Sequence, residues 1–351
     1  MLNTPEYIIL IDLLKGKLPD NMGVADQDKL LMLFRRHRLL SSISTEAIDI
    51  LEPAFQKRWR EAIRSFTIRS MQLTGVLEEV FRELNRKELD VVSVKGPVLS
   101  QRLYGDIGRR HYGDLDLLVR REEFQKVLDI LEGMDYRMTH PKKGLSPKQL
   151  DYYFRYKKDV ALVNRMNGVV VELHVGIFRH ELIRTDSDTL IWNDLSEEKI
   201  GNTPVRCMNK NTTFLYLLYH GGQHLYFRLF WLKDVADAMD KWELDHRWIL
   251  DQAISMGIDR LVGMGLLLSK EFFGTEIPSE YRDYLRRNRT VLMKLKRIAL
   301  SRISGPERET RAWKVRRYRF VLLLQPGFRY LGKILGNVFH RKYIRRRLGG
   351  F

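Results

Sequence analysis

Two aspartates one residue apart, Asp114 and Asp116, stand in the run Gly113-Asp-Leu-Asp-Leu-Leu-Val119. On an extended strand residues i and i+2 share a face, so both carboxylates point together while Leu115, Leu117 and Val119 point into a core. Adjacent carboxylates repel unless a cation neutralises them, and hard oxygen ligands suit Mg²⁺ (or Mn²⁺), which takes one or two carboxylates together with substrate phosphates. Upstream, Lys95-Gly96 reads as a turn after a short apolar strand. Gly96 lets the backbone approach a ligand, and Pro97 suits a first helical turn, whose free N–H groups can face a phosphate. Arg109 and Arg110 add guanidinium groups to the same phosphate clamp. Asp-x-Asp alone is also common at solvated strand ends; the strand, glycine turn and arginines together describe a metal and phosphate site.

A second pair lies downstream. Asp159 to Asn164 and Gly168 to Val175 are β-rich runs separated by Arg165, Met166 and Asn167, a hairpin pattern in which Gly168 supplies the positive φ of the turn. Val170, Glu172 and His174 then share one strand face. A carboxylate there acts as base toward a hydroxyl or completes the coordination of a metal; a wet sheet face accounts for the same pattern. His220 and His224, four apart, fall on one face of a helix, a spacing that serves a transition metal or a pair of hydrogen-bonded core histidines. Gly221 follows His220 where zinc proteases need glutamate, which argues against zinc proteolysis.

The series Lys95-Gly96, Leu99, Tyr104, Arg110 and Asp114-Leu-Asp-Leu-Leu-Val119 resembles the signature of the uncharacterised nucleotidyltransferase family, a branch of the DNA polymerase β-like nucleotidyltransferases. The resemblance is most specific over residues 90–175. It implies an NTP substrate, an unknown acceptor hydroxyl (small molecule, sugar or protein) and transfer of an NMP group, with Asp114, Asp116 and Glu172 as catalytic metal ligands. Lys95, Gly96, Arg109 and Arg110 would bind the nucleotide. Glu172 matches the third acid, and Glu172-Leu-His174 resembles the family's second motif. The family's His-rich helix followed by Trp and Asp is matched by His220, His224, Trp231 and Asp234, which with His174 would line the substrate cleft. One departure stands out: Pro97 follows Gly96 where many members carry Ser, so a hydroxyl for the triphosphate is missing. A non-catalytic adaptor that binds a nucleotide or anion at a membrane surface is the alternative.

These groups need a scaffold. The expected class is α+β: a small mixed sheet with flanking helices and a C-terminal helical domain. Residues 1–89 form the helical lead-in, 90–208 the catalytic core, 209–303 a helical domain and 304–351 a basic amphipathic segment. Within the lead-in, His37 in the run Arg35-Arg-His-Arg38 reads as a solvated surface residue. Arg121 to Met134 fits an amphipathic helix, Thr139 to Gln149 an exposed loop, 180–210 connecting structure with a short strand at 205–208, and Asn211 to Trp242 a helix broken or kinked at Gly221-Gly222.

The 351 residues can bury a full core, and 44% hydrophobic with 30% charged residues is the composition of a globular chain. A single cysteine, Cys207, excludes an internal disulfide and fits a reducing cytoplasm; the expected location is cytoplasmic, with peripheral docking at the inner membrane surface. No secretory signal opens the chain, and no apolar run approaches the ~20 residues that span a bilayer. The net charge of +17 is concentrated in the last 42 residues, where twelve Lys or Arg and no acid alternate with bulky apolar side chains. That pattern suits docking to an anionic membrane, with nucleic acid the less expected partner.

Overall fold

The computed structural model describes residues 4–19, 25–49, 51–141, 145–155, 157–179, 182–184, 188–306, 311–324 and 332. Apolar residues at strand period build one sheet from β1 (Val91–Ser93), β2 (Leu115–Val119), β3 (Tyr136–His140), β4 (Asp159–Asn164), β5 (Val170–His174), β6 (Leu195–Ile200) and β7 (Thr203–Met208), in the order β3-β4-β5-β2-β1-β7-β6. β2–β5 and β1–β7 pair in parallel and the other neighbours antiparallel, so the sheet is mixed and the fold is α+β, with a helical C-terminal region.

One sheet face carries Leu115, Leu117, Val119, Val160, Leu162, Val171 and Leu173 into a core shared with Leu77, Phe81 and Leu84 of the helix Pro53–Arg86 and Val127 and Leu131 of the helix Phe124–Gly133. Removing so much apolar surface from water, at about 25 cal/mol per Å², fixes which side of β2 and β5 faces inward. Asp116, Glu172 and His174 are thereby left together on the opposite face.

The chain divides into two compact units. One holds the described residues within 69–107 and 112–213, including the whole sheet; the other holds those within 1–68, 108–111 and 214–325 and is helical. In the helical unit the helix Gln27–His37 buries Leu30, Phe34 and His37 on one stripe, with Asp26 accepting from the Lys29 N–H at 3.1 Å as its N-cap.

Several expectations change. β2 begins at Leu115, so Asp114 sits in the bend just before the strand instead of on it. The segment expected as a loop over 139–149 contains the end of β3 and the start of the helix Pro147–Phe154. Ser146 and Gln149 form a reciprocal capping box and Pro147 supplies the first turn, which outweighs the loop-like composition. Residues 195–200, expected as connection, form β6 at the sheet edge, where Glu197, Glu198 and Lys199 give a charged strand without an apolar signature.

His37 is fully buried, not solvated: Nδ1 accepts from the Leu229 N–H at 3.2 Å, and Nε2 lies 3.1 Å from the Tyr7 hydroxyl. The helix Lys210–Gln223 runs unbroken through Gly221-Gly222, the Tyr226 ring filling the space a Cβ at Gly221 would need. The break falls after it, where Leu225 and Tyr226 adopt left-handed backbone before the helix Phe230–Lys241.

The helix Arg311–Leu324 buries Trp313, Phe320 and Leu324 and exposes Val315, Tyr318 and Leu322. The rest of the basic tail expected to dock on a membrane, 325–331 and 333–351, lies outside the described residues. Among the described residues no helix is long and apolar enough to cross a membrane.

Candidate functional site

Parallel pairing sets Asp116 of β2 beside Glu172 of β5, and antiparallel pairing sets Asp159 of β4 opposite His174. Ligand atoms of Asp116, Glu172 and His174 converge to within 4.8 Å of one another. His174 Nε2 lies 3.1 Å from Asp116 Oδ1 and 3.5 Å from Glu172 Oε2. Lys95, the residue before the helix Gly96–Tyr104, places Nζ 3.1 Å from Asp116 Oδ2. The Val94 N–H donates to the Asp116 carbonyl at 3.0 Å and ties the end of β1 to β2 at this point. Gly96 takes φ +65°, a left-handed value that favours glycine, and Pro97 falls in the first helical turn as expected.

The electrostatics follow from these contacts. Burial alone would raise the Asp116 pKa. Lys95, the His174 hydrogen bond and the His174 and Lys158 charges outweigh it, and the carboxyl is held below the usual range. For His174, burial and Lys158 favour the neutral ring, whereas Asp116, Glu172 and Asp159 favour the imidazolium; the carboxylates prevail and its pKa is raised. Lys158 Nζ sits 3.1 Å from Nδ1 of that ring and 3.2 Å from Asp159 Oδ2. In the neutral ring, Nε2–H donates to Asp116 and Nδ1 accepts from Lys158. Asp116 is 5% exposed and His174 2%, but the Glu172 side chain is 38% exposed, so it is the acid of the set that reaches water.

Two carboxylates and an imidazole within 4.8 Å are a donor set that fits a divalent cation. The expected trio was Asp114, Asp116 and Glu172; the gathered trio has His174, and half-buried Asp114 stands immediately before β2. Lys158 and Asp159 are site neighbours that motif reading passes over. The hairpin register held the signal, because a turn at 165–168 sets residue 159 opposite 174.

The remaining candidates belong to the helical unit. Arg110 donates from Nε and Nη2 to Asp234 Oδ2, both at 3.0 Å, and its guanidinium lies 5.4 Å from the Phe230 ring centre. Burial raises the Asp234 pKa while Arg110 pulls against it. These two residues form a buried pair that holds segment 108–111 to the helix Phe230–Lys241. Arg109 is exposed, and its carbonyl accepts from the Ser41 hydroxyl at 2.9 Å. His220 and His224 pack against Trp231, with ring centres 5.4 and 5.1 Å from it, and Tyr216 Oη lies 3.3 Å from His220 Nδ1.

The chain is thus an α+β protein whose mixed sheet joins a lysine-glycine helix start to acids on two adjacent strands. A family model described as uncharacterised nucleotidyltransferase matches residues 24–274, and the chain belongs to that family. Neither the curated proteins nor the solved structures compared contain a match.

Proposed function

We propose that this chain is a metal-dependent enzyme moving an NMP group from an NTP to an acceptor hydroxyl. The observation that carries the reading is the convergence of Asp116, Glu172 and His174 beside Lys95 and the start of the helix Gly96–Tyr104. Asp116, Glu172 and His174 would hold the cation, with Asp114 as a further acid at the edge. Two carboxylates suit Mg²⁺ or Mn²⁺, and an imidazole third ligand favours Mn²⁺. When bound, the cation supplies charge neutralisation at the phosphates.

Lys95 and the N–H groups of the first turn after Gly96 orient the phosphates, taking over from the hydroxyl that Pro97 replaces. The acceptor oxygen forms a bond to the α-phosphorus, the bond to the β-phosphate oxygen breaks, and pyrophosphate leaves. The hydroxyl proton passes to a carboxylate at the water-facing edge of the site. Positioning and electrostatics supply most of the acceleration.

One observation favours a nucleotide-binding adaptor: Asp116 already has Lys95 and His174 as counter-charges. Calorimetry of each NTP with Mn²⁺ or Mg²⁺ separates the readings. Metal-dependent binding in the wild type, lost in Asp116→Asn and weakened in Glu172→Gln, with pyrophosphate released when acceptor is present, supports the enzyme. NTP binding that gains nothing from Mn²⁺ or Mg²⁺ in the wild type, with no pyrophosphate released, overturns it in favour of the adaptor.

A further inference from the structure

The helical unit contains a cavity of about 770 Å³ that the nucleotidyl-transfer reading does not use. Among the described residues, Lys29, Arg35, Arg36, Arg38 and Arg228 line it against one acid, Glu6. Glu6 supplies one negative charge: its carboxylate is held ionised chiefly by a hydrogen bond to its own backbone N–H, with Thr4 and Lys29 adding to the effect. Arg36 is fixed by Nη2 donating to the Ile303 carbonyl at 2.8 Å and to the Gly305 carbonyl, and its buried Nε has no hydrogen-bond partner among the described residues. Nδ1 of His111, on the same wall, is likewise buried without one, while its ring stacks on Phe66 with centres 5.0 Å apart.

Lys29 also pairs with Asp26 at 3.2 Å, yet the cations still outnumber the acids, and a folded chain that gathers like charges around one cavity gains from a bound anion. The remaining wall is apolar, from Tyr7, Met32 and Leu33. A volume of this size suits a small molecule with a body as well as charged groups.

We infer that this cavity binds an organic diphosphate, its two phosphates on the Arg35, Arg36, Arg38 and Arg228 side and its less polar body against Tyr7, Met32 and Leu33. The excess of cations calls for at least two phosphates, and the apolar wall calls for more than an inorganic ion. This site is separate in residues from Asp116, Glu172 and His174 and does not depend on the chemistry proposed for them.

The test is calorimetry with ADP, pyrophosphate and adenosine as probes in buffer containing EDTA, which leaves metal-dependent binding silent. Expected is one ADP per chain, bound at least tenfold more tightly than pyrophosphate, with no detectable adenosine binding. Affinity should fall as salt rises and drop at least tenfold in Lys29→Gln/Arg35→Gln, both exposed positions whose replacement leaves the fold intact. It should be unchanged in Asp116→Asn. No ADP binding under EDTA, or binding equal in the double variant, overturns the site. Pyrophosphate binding as tightly as ADP overturns the role given to the apolar wall.

Discussion

Three histidines, His37 and His174 buried and His111 half-buried, meet opposite surroundings in the two units. In the helical unit, burial and the arginines around them drive His37 and His111 down to pKa values of about 3: Arg36 and Arg228 for the first, Arg38, Arg110 and Arg228 for the second. In the sheet unit, burial pushes His174 the same way, yet Asp116, Glu172 and Asp159 reverse the outcome and raise it. Desolvation has one sign for all three rings; the charge of the neighbours decides the result. Arginine neighbours therefore favour the neutral imidazole, and a carboxylate cluster favours the protonated one.

The largest effect that should separate the two regions is acid sensitivity. A group whose folded pKa is depressed binds its proton first in the unfolded chain, so the stability tied to neutral His37 falls as pH drops below about 6.5 and stops falling near 3. The slope is on the order of 1.4 kcal/mol per pH unit. Urea unfolding against pH checks it, and His37→Gln should flatten the slope; an unaltered slope would assign acid sensitivity elsewhere.

Asp116→Ala should cost about 3–5 kcal/mol, because Lys95 and His174 are left buried beside a missing counter-charge. A cost below about 1 kcal/mol in the same urea experiment would mean that the sheet-unit network is not held together by this acid.

Glu172→Gln should weaken Mn²⁺ binding by about 10- to 100-fold, judged from the usual sensitivity of metal sites. It should change stability by no more than about 1 kcal/mol at this half-exposed position. Calorimetry and urea unfolding read the two effects separately.

The smallest effect sharpens the sign for His174. Its raised pKa means that its contribution to stability is fully present below about pH 6.5 and lost as pH rises through the folded value. Lys158→Met removes a charge that opposes the imidazolium and a hydrogen bond to the neutral ring, so an NMR titration of the ring should move further upward; a downward move would refute the opposition of Lys158 to the protonated ring.

Much of this arrangement was legible in residue order. The hairpin at 159–174, the helix start at Gly96 and the inward alternation of Leu115, Leu117 and Val119 all follow from local periodicity and turn chemistry, which act within a few residues. The family motif was legible for the same reason, since Lys95, Asp116, Glu172 and His174 stand in three short runs. Edge strand β6 was not, because charged residues at a sheet edge carry no apolar pattern, and burial of His37 was hidden by the basic residues flanking it in the chain.

By itself, then, the sequence determined which faces of β2 and β5 turn inward and where the helix after Gly96 starts, since each depends on backbone geometry over one or two turns. Only the tertiary structure decided that His174 gathers with Asp116 and Glu172, that Lys158 and Asp159 join it, that Arg110 is held by Asp234, and that five cations line one cavity. Those outcomes depend on sheet register and helix packing, which bring together residues tens to hundreds of positions apart.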